Sequence, residues 1–403
     1  MSKTASEKRW RYLAAGTIVL LFSGLIYGWS LFSEYFREIY PDWGMSELSL
    51  TFTISMTSFV AGGLISGTMV KKLSAGWILR IAGLLTLAGF SGLSLLDPSQ
   101  PGRSLLMLYV CYGLIASLGV GINFNVVLST VGRWFPDRIG FSSGTMMMGF
   151  GCGALILGGI TTVIIDRVGL FMAFLILGIL MAIAGLISSL IIKAPDAAGR
   201  DDSGDLPLSP NDVSTGEMLR SKVFIVFMIW AITVNVAGML VIGSAANIAV
   251  FAGAPAIVGM VVSICNGLGR IAIGALYDVV GRVRTMGFNL TLLLAAGILL
   301  TLGAVRSSAL LTIGGLIVMG VEYGGNPTIC SSFAREEFGE RYYSTNFAVI
   351  NTSVVPAAII GPTLSGRLVE MSGGSYLSSF IVIVVCGVLG MALFALLNRI
   401  SKH

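Results

Sequence analysis

Long apolar runs, each long enough to cross a lipid bilayer, follow one another along nearly the whole chain, and this succession restricts the fold more than any motif does. Such runs fall near 12–36, 48–70, 77–96, 104–131, 139–164, 170–193, 221–250, 255–277, 285–304, 309–333, 342–368 and 375–400. A transmembrane helix needs roughly 20 apolar residues, and in lipid the backbone polar groups must be satisfied within the segment, which a helix does. The expected fold is therefore an all-α membrane protein of twelve transmembrane helices. Composition agrees: 55% of residues are hydrophobic and 11% charged, with a mean hydropathy of +0.90, whereas soluble domains are roughly a quarter charged.

The net charge of +5 does not point to nucleic acid, because the cations are scattered between apolar runs instead of forming one patch. With the N-terminus placed in the cytoplasm, nineteen of the 25 Lys and Arg residues fall on the inner side. Arg37, Arg103, Arg167, Arg306 and Arg367 fall on the other, and Arg270 lies within a span. That bias predicts a multi-pass protein of the cell's inner (plasma) membrane with both termini cytoplasmic. Lys3, Lys8, Arg9 and Arg11 precede a long run without an evident cleavage site, so the first run is expected to stay as a span. Cys111, Cys152, Cys265, Cys330 and Cys386 lie in apolar segments without paired or metal-ligand spacing and read as small core residues.

One polar stretch, residues 194–220, is rich in Asp and Pro and divides the chain into six-helix halves, 1–193 and 221–403. A weak repeat relates them: Phe135-Pro-Asp137-Arg138 after the fourth run lines up with Phe338-Gly-Glu340-Arg341 after the tenth. Two parallel six-helix halves around a midplane site are an arrangement of secondary transporters.

The segment Gly132-Arg-Trp-Phe-Pro-Asp137-Arg138-Ile-Gly140, followed by Ser142-Ser-Gly144, resembles the loop signature between helices 4 and 5 of the major facilitator superfamily. The likeness is to its monocarboxylate transporter and oxalate/formate antiporter branch. Gly274-Ala-Leu-Tyr-Asp278-Val-Val-Gly281-Arg282 is similar to the superfamily's loop motif, repeated between helices 8 and 9. The first-half copy, Gly67-Thr-Met-Val-Lys71-Lys72, departs from it with Lys71 where the pattern has Asp. The resemblance implies gating roles for Asp137, Arg138, Asp278 and Arg282; their alternative is topology anchoring at helix ends.

Arg270, in Asn266-Gly-Leu-Gly-Arg270, is a charge inside a span. A central Arg costs at least ~2.5–3.5 kcal/mol on insertion scales, so it needs a partner. One reading is snorkelling or a structural ion pair; the other is a planar fork that holds a carboxylate through two parallel hydrogen bonds. Asn266 lies one turn earlier on the same face, and the pair resembles the helix 8 site of monocarboxylate transporters. Glu322, the carboxylate in the middle of a span, is the natural counter-ion of an empty Arg270 and the proton-coupling candidate, with a structural role as its alternative. Gly324, Gly325 and Pro327 suggest a broken tenth helix. Oxalate-transporting relatives carry a second cation, a Lys in helix 11, where this chain has Val354.

Tyr27, Tyr112, Phe124, Tyr323 and Asn351 are the polar and aromatic candidates to complete substrate binding, with helix packing as the alternative for each. The function expected is secondary active transport of a small monocarboxylate anion such as lactate or pyruvate, with a proton, by a monomer in the lipid bilayer and with no cofactor or metal. Exchange of oxalate, formate or related anions is the alternative; an anion-binding sensor and a carrier of sugars or drugs are more distant ones. No catalytic cluster is recognisable and the sole histidine is His403, so an enzyme is not expected.

Overall fold

A computed structural model describes residues 3–195, 212–242, 244–255 and 258–401. The greater part of the expected linker, 196–211, lies outside the described residues. Every regular element among the described residues is helical. The first unit comprises Met1–Pro136 and Gly149–Pro207, and the second Asp137–Met148 and Leu208–His403.

The first unit holds α1 (Lys3–Ser23), α2 (Trp29–Ile39), α3 (Met45–Met69), α4 (Ala75–Leu93), α5 (Pro101–Leu108) and α6 (Ser117–Gly132). It also holds α7 (Ile139–Val168) from Gly149 onward, and α8 (Leu170–Ile191). α1 and α2 are one span bent through the 3₁₀ turn Gly24–Gly28, and α5 and α6 are joined through a π-helical stretch, Tyr109–Ala116. Gly24 and Gly121 let helices touch: a Cβ on Gly24 would strike the Phe150 carbonyl, and one on Gly121 the Phe59 carbonyl. Lipid offers no hydrophobic drive between helices, so close backbone approach and buried hydrogen bonds replace it. Asn123 donates to the Ser23 hydroxyl at 2.7 Å and Asn125 to the Gly63 carbonyl at 2.8 Å.

The second unit begins with the first turns of α7 and continues through α9 (Thr215–Arg220), α10 (Lys222–Ile242) and α11 (Ala245–Phe251). It ends with α12 (Gly259–Val305), α13 (Ala309–Phe338), α14 (Tyr343–Asn351), α15 (Val354–Met371) and α16 (Leu377–Ile400). The residues just before α9 dock on this unit, with Val213 N–H donating to the Phe338 carbonyl and Asp212 accepting from the Arg341 N–H. Ser214 and Glu217 then form a capping box that starts α9.

Among the described residues, ten segments are long and apolar enough to cross a membrane. One of them, Val261–Val305, is 45 residues long and turns at Gly281, whose φ of 79° and ψ of 174° interrupt α12. The 30-residue α13 is not among the ten, because Glu322, Asn326 and neighbouring small residues lower its hydropathy. Large apolar side chains such as Leu84, Val385 and Leu396 lie exposed on the helix surfaces, as lipid-facing residues do.

The expectation of a broken tenth helix is corrected: α13 runs unbroken from Ala309 to Phe338 with Pro327 inside it. Its glycines serve contact instead of bending, since a Cβ on Gly324 would strike the Asn266 carbonyl and one on Gly325 would meet Asn289 and Ile273. The break falls in the next span, where Thr352 and Ser353 separate α14 from α15.

Gly281 sits in a backbone region that is nearly glycine-only, and nothing lies within 4 Å of a Cβ placed there. Gly281→Ala therefore isolates backbone strain and should destabilise the protein by about 1–3 kcal/mol. A melting temperature of the detergent-purified variant equal to the parent's would contradict this.

Candidate functional site

In the second unit the turn of α12 bearing Asn266 and Arg270 is held between two neighbours at backbone distance. On one side, α7 comes so close that a Cβ on Gly144 would strike the Arg270 carbonyl. Gly140 and Gly274 likewise each face the other's carbonyl. On the other side, Gly324 and Gly269 bring α13 against the same turn through the Asn266 and Val321 carbonyls. Arg270 is 8% exposed. Its Nε donates to Asn266 Oδ1 at 3.2 Å, so the expected one-turn pairing is present, and its Nη1 donates to the Met147 carbonyl at 2.5 Å. The Arg270 carbonyl accepts from the Thr328 hydroxyl at 3.2 Å. The guanidinium has five N–H donors in a fixed fork, and a neutral amide and a backbone carbonyl are two of the groups that orient it.

Glu322 does not meet Arg270, which corrects the counter-ion expectation. It is fully buried, its Oε1 accepts from Asn289 Nδ2 at 3.2 Å, and Oε2 has no partner. Asn289 Nδ2 also donates to Asn326 Oδ1 at 2.8 Å, leaving Asn289 Oδ1 and Asn326 Nδ2 unmatched in a fully buried cluster. The physical reason is helix phase: Glu322 and Asn326, four residues apart on α13, face the part of α12 beyond Gly281, whereas Arg270 precedes it.

Tyr323 is buried against α10, its ring occupying the place a Cβ on Gly238 would take. Asn351 is half-buried at the last turn of α14, at the break before α15.

The other expected binding residues belong to the first unit. Tyr27 lies in the 3₁₀ turn between α1 and α2, is 36% exposed and packs edge-on against Phe150 with ring centroids 5.2 Å apart. Phe124 packs on Phe150 at 4.8 Å and on Phe59 at 5.3 Å. Tyr112 is placed differently: it is fully buried among Trp29, Phe32 and Phe90, and its hydroxyl donates to the Ile26 carbonyl. That hydrogen bond ties the π-helical stretch to the turn carrying Tyr27, a positioning place and not an open one.

Of the gate candidates, Asp278 and Arg282 are engaged within the second unit. Asp278 accepts from the Gly140 and Phe141 N–H groups at 2.7 and 2.8 Å and so caps the first turn of α7. Arg282 is buried, bonds Glu337 at 2.5 Å and Ser401 at 2.8 Å, lies 3.8 Å from Glu336, and stacks over Phe333. Tyr277 donates to Glu336 at 2.7 Å, completing a network that joins α12, α13 and the end of α16. Asp137 and Arg138 are about half exposed and 3.9 Å apart, the geometry of a loose surface pair.

The Major Facilitator Superfamily pattern matches residues 11–362. The chain belongs to the major facilitator superfamily. It is 26% identical over 396 residues to the oxalate:formate antiporter of Oxalobacter formigenes, covering 96% of this chain and 90% of that one. Human monocarboxylate transporter 1 is 30% identical over 161 residues, 39% of this chain and 31% of its own length. The crystal structure of the Escherichia coli fucose:proton symporter superposes with a TM-score of 0.69 at 15% identity, covering 97% of this chain and 98% of that one, which establishes the fold. This superfamily member is a multi-pass membrane transporter and not an enzyme.

Sequence reasoning missed Asn289, Phe150, Phe59 and the Met147 carbonyl. Asn289 was readable as a polar residue within an apolar span, while the Met147 contact depends on the close packing at Gly144 and has no residue-type signal. Removing the Asp278 carboxylate by Asp278→Ala should leave the first amides of α7 unsatisfied at a cost of about 1–3 kcal/mol. Hydrogen exchange at Gly140 and Phe141 should then rise by about tenfold or more; unchanged exchange would show that this cap is dispensable.

Proposed function

We propose that this transporter carries small monocarboxylate anions of the lactate and pyruvate kind, together with a proton, and that Arg270 binds the carboxylate. The observation that carries this reading is a buried guanidinium in a membrane-spanning helix, oriented by the Asn266 amide oxygen and the Met147 carbonyl. A carboxylate would meet it through a two-point hydrogen bond matching its geometry. Val354, standing where oxalate-transporting relatives have a Lys, favours one carboxylate over two.

Asn266 orients Arg270, and Tyr323 and Asn351 are the further substrate contacts proposed in the second unit, with Tyr27 and Phe124 in the first; Tyr112 acts by holding the turn of Tyr27. Glu322 is the proton-coupling group: it has room in its hydrogen bonding for a proton and no cation to balance a charge. Asp278 and Arg282 hold the gate end of the second unit, and Asp137 and Arg138, just before α7, are the further gate residues proposed. The protein works as a monomer in the plasma membrane with both termini cytoplasmic, in keeping with the distribution of Lys and Arg.

The second reading is exchange of organic anions, favoured by the 26% identity to the oxalate:formate antiporter over nearly the whole chain. Uptake of labelled L-lactate into proteoliposomes separates the two. Symport predicts uptake stimulated by an inward proton gradient into vesicles empty of anion; exchange predicts uptake only into vesicles loaded with oxalate or formate.

Arg270→Ala should abolish uptake while the protein still inserts and purifies. Arg270→Lys, which keeps the charge and loses the fork, should raise the KM for lactate by about tenfold. Retained uptake in Arg270→Ala would sink the assignment. Glu322→Gln should lose stimulation by the proton gradient while lactate-for-lactate counterflow continues; preserved stimulation would move the proton to another group.

A further inference from the structure

Among the described residues of the first unit, a cavity of about 340 Å³ opens at the loop ends of α3, α4, α6 and α8. Three cations line it: Arg80 from α4, Arg133 just after α6 and Lys193 just after α8. Ser74, Ser129, Thr130 and Ser189 supply hydroxyls, and the described lining contains no carboxylate. Arg80 is set in place, its Nε donating to Ser189 Oγ at 3.3 Å and its guanidinium lying 4.8 Å from the ring centre of Trp77. Trp77 is 58% exposed, and exposed indoles in membrane proteins sit at the level of lipid headgroups.

The second unit treats the same place in its own sequence repeat differently. Aligning Phe135-Pro-Asp-Arg with Phe338-Gly-Glu-Arg puts Arg133 in the position of Glu336, and aligning the two loop motifs puts Lys71 in that of Asp278. In the second unit Glu336, Glu337 and Ser401 fill the space around Arg282 and balance its charge. In the first unit neither aligned position carries an acid, and Arg133 lines an open cavity with Arg80 and Lys193. Guanidinium, ammonium and hydroxyl groups together match a phosphate oxygen set.

We propose that this cavity is a phosphate-binding site, distinct from the Arg270 site and independent of the substrate assigned to it. The group bound is a phosphate ester or free phosphate, and the position of Trp77 favours the phosphate of an anionic phospholipid headgroup. Juxtamembrane basic groups are drawn to anionic lipid on electrostatic grounds alone, but the cavity adds the hydroxyls of Ser74 and Thr130 and an oriented Arg80; those of Ser129 and Ser189 donate to the Val126 and Leu186 carbonyls.

The test uses the full-length protein, purified in detergent and stripped of lipid, with thermal unfolding as the readout. It is titrated with dihexanoyl-phosphatidylglycerol in one arm and inorganic phosphate in the other, for the parent and for Arg80→Gln/Lys193→Gln. A ligand that binds only the folded state raises the melting temperature with concentration. A rise with phosphatidylglycerol alone assigns the site to a lipid headgroup, and a rise with inorganic phosphate assigns it to the free anion. In either case the double variant should need about tenfold more probe for the same rise. Lys193→Gln alone, at an exposed position, serves if the double variant does not fold, with a smaller shift in the same direction. No rise with either probe, or the same concentration dependence in the variants, would overturn the proposal.

Discussion

A guanidinium enclosed within a membrane-spanning helix is the constraint around which the second unit is arranged. Left alone, Arg270 would cost at least ~2.5–3.5 kcal/mol even on the lenient insertion scales. The chain lowers that cost with dipoles: the Asn266 amide oxygen one turn away and the Met147 carbonyl. Glu322 is placed elsewhere, against Asn289.

Glycine makes this geometry possible. Met147 can offer its carbonyl only because Gly144 and Gly140 let α7 lie against α12, and the Asn266 turn meets α13 only because Gly324 has no side chain. The same closeness lets Asp278 reach two amides at the start of α7. Packing, charge placement and the cap on α7 therefore rest on a few helix contacts in the second unit. The first unit uses the same device at Gly24 and Gly121 to set the turn of Tyr27 and the aromatic group around Phe150.

Much of this was legible in the sequence, and the limits have physical causes. Apolar run length revealed the helical membrane fold, because bilayer thickness leaves a chain few choices. The pairing of Asn266 with Arg270 was legible because i and i+4 share a helix face. The partner of Glu322 was not, because two buried charges of opposite sign suggest attraction whatever the phase of their helices, and phase over the kink at Gly281 is set by the glycine's φ of 79°. Gly324, Gly325 and Pro327 were misread as a break, since the same residues serve bending and close contact and only the neighbour's position tells which. Tyr112 looked like a cavity residue by type, but the π-helical stretch turns its hydroxyl to the Ile26 carbonyl.

The central claim is that Arg270 recognises the negative charge of a carboxylate, and calorimetric titration of the purified protein with L-lactate and with lactamide tests it most directly. The two ligands differ in charge and hardly in shape. The account predicts that lactate binds and that lactamide binds at least about tenfold more weakly, the loss of one charge-assisted pair. Equal affinity for the two would contradict it.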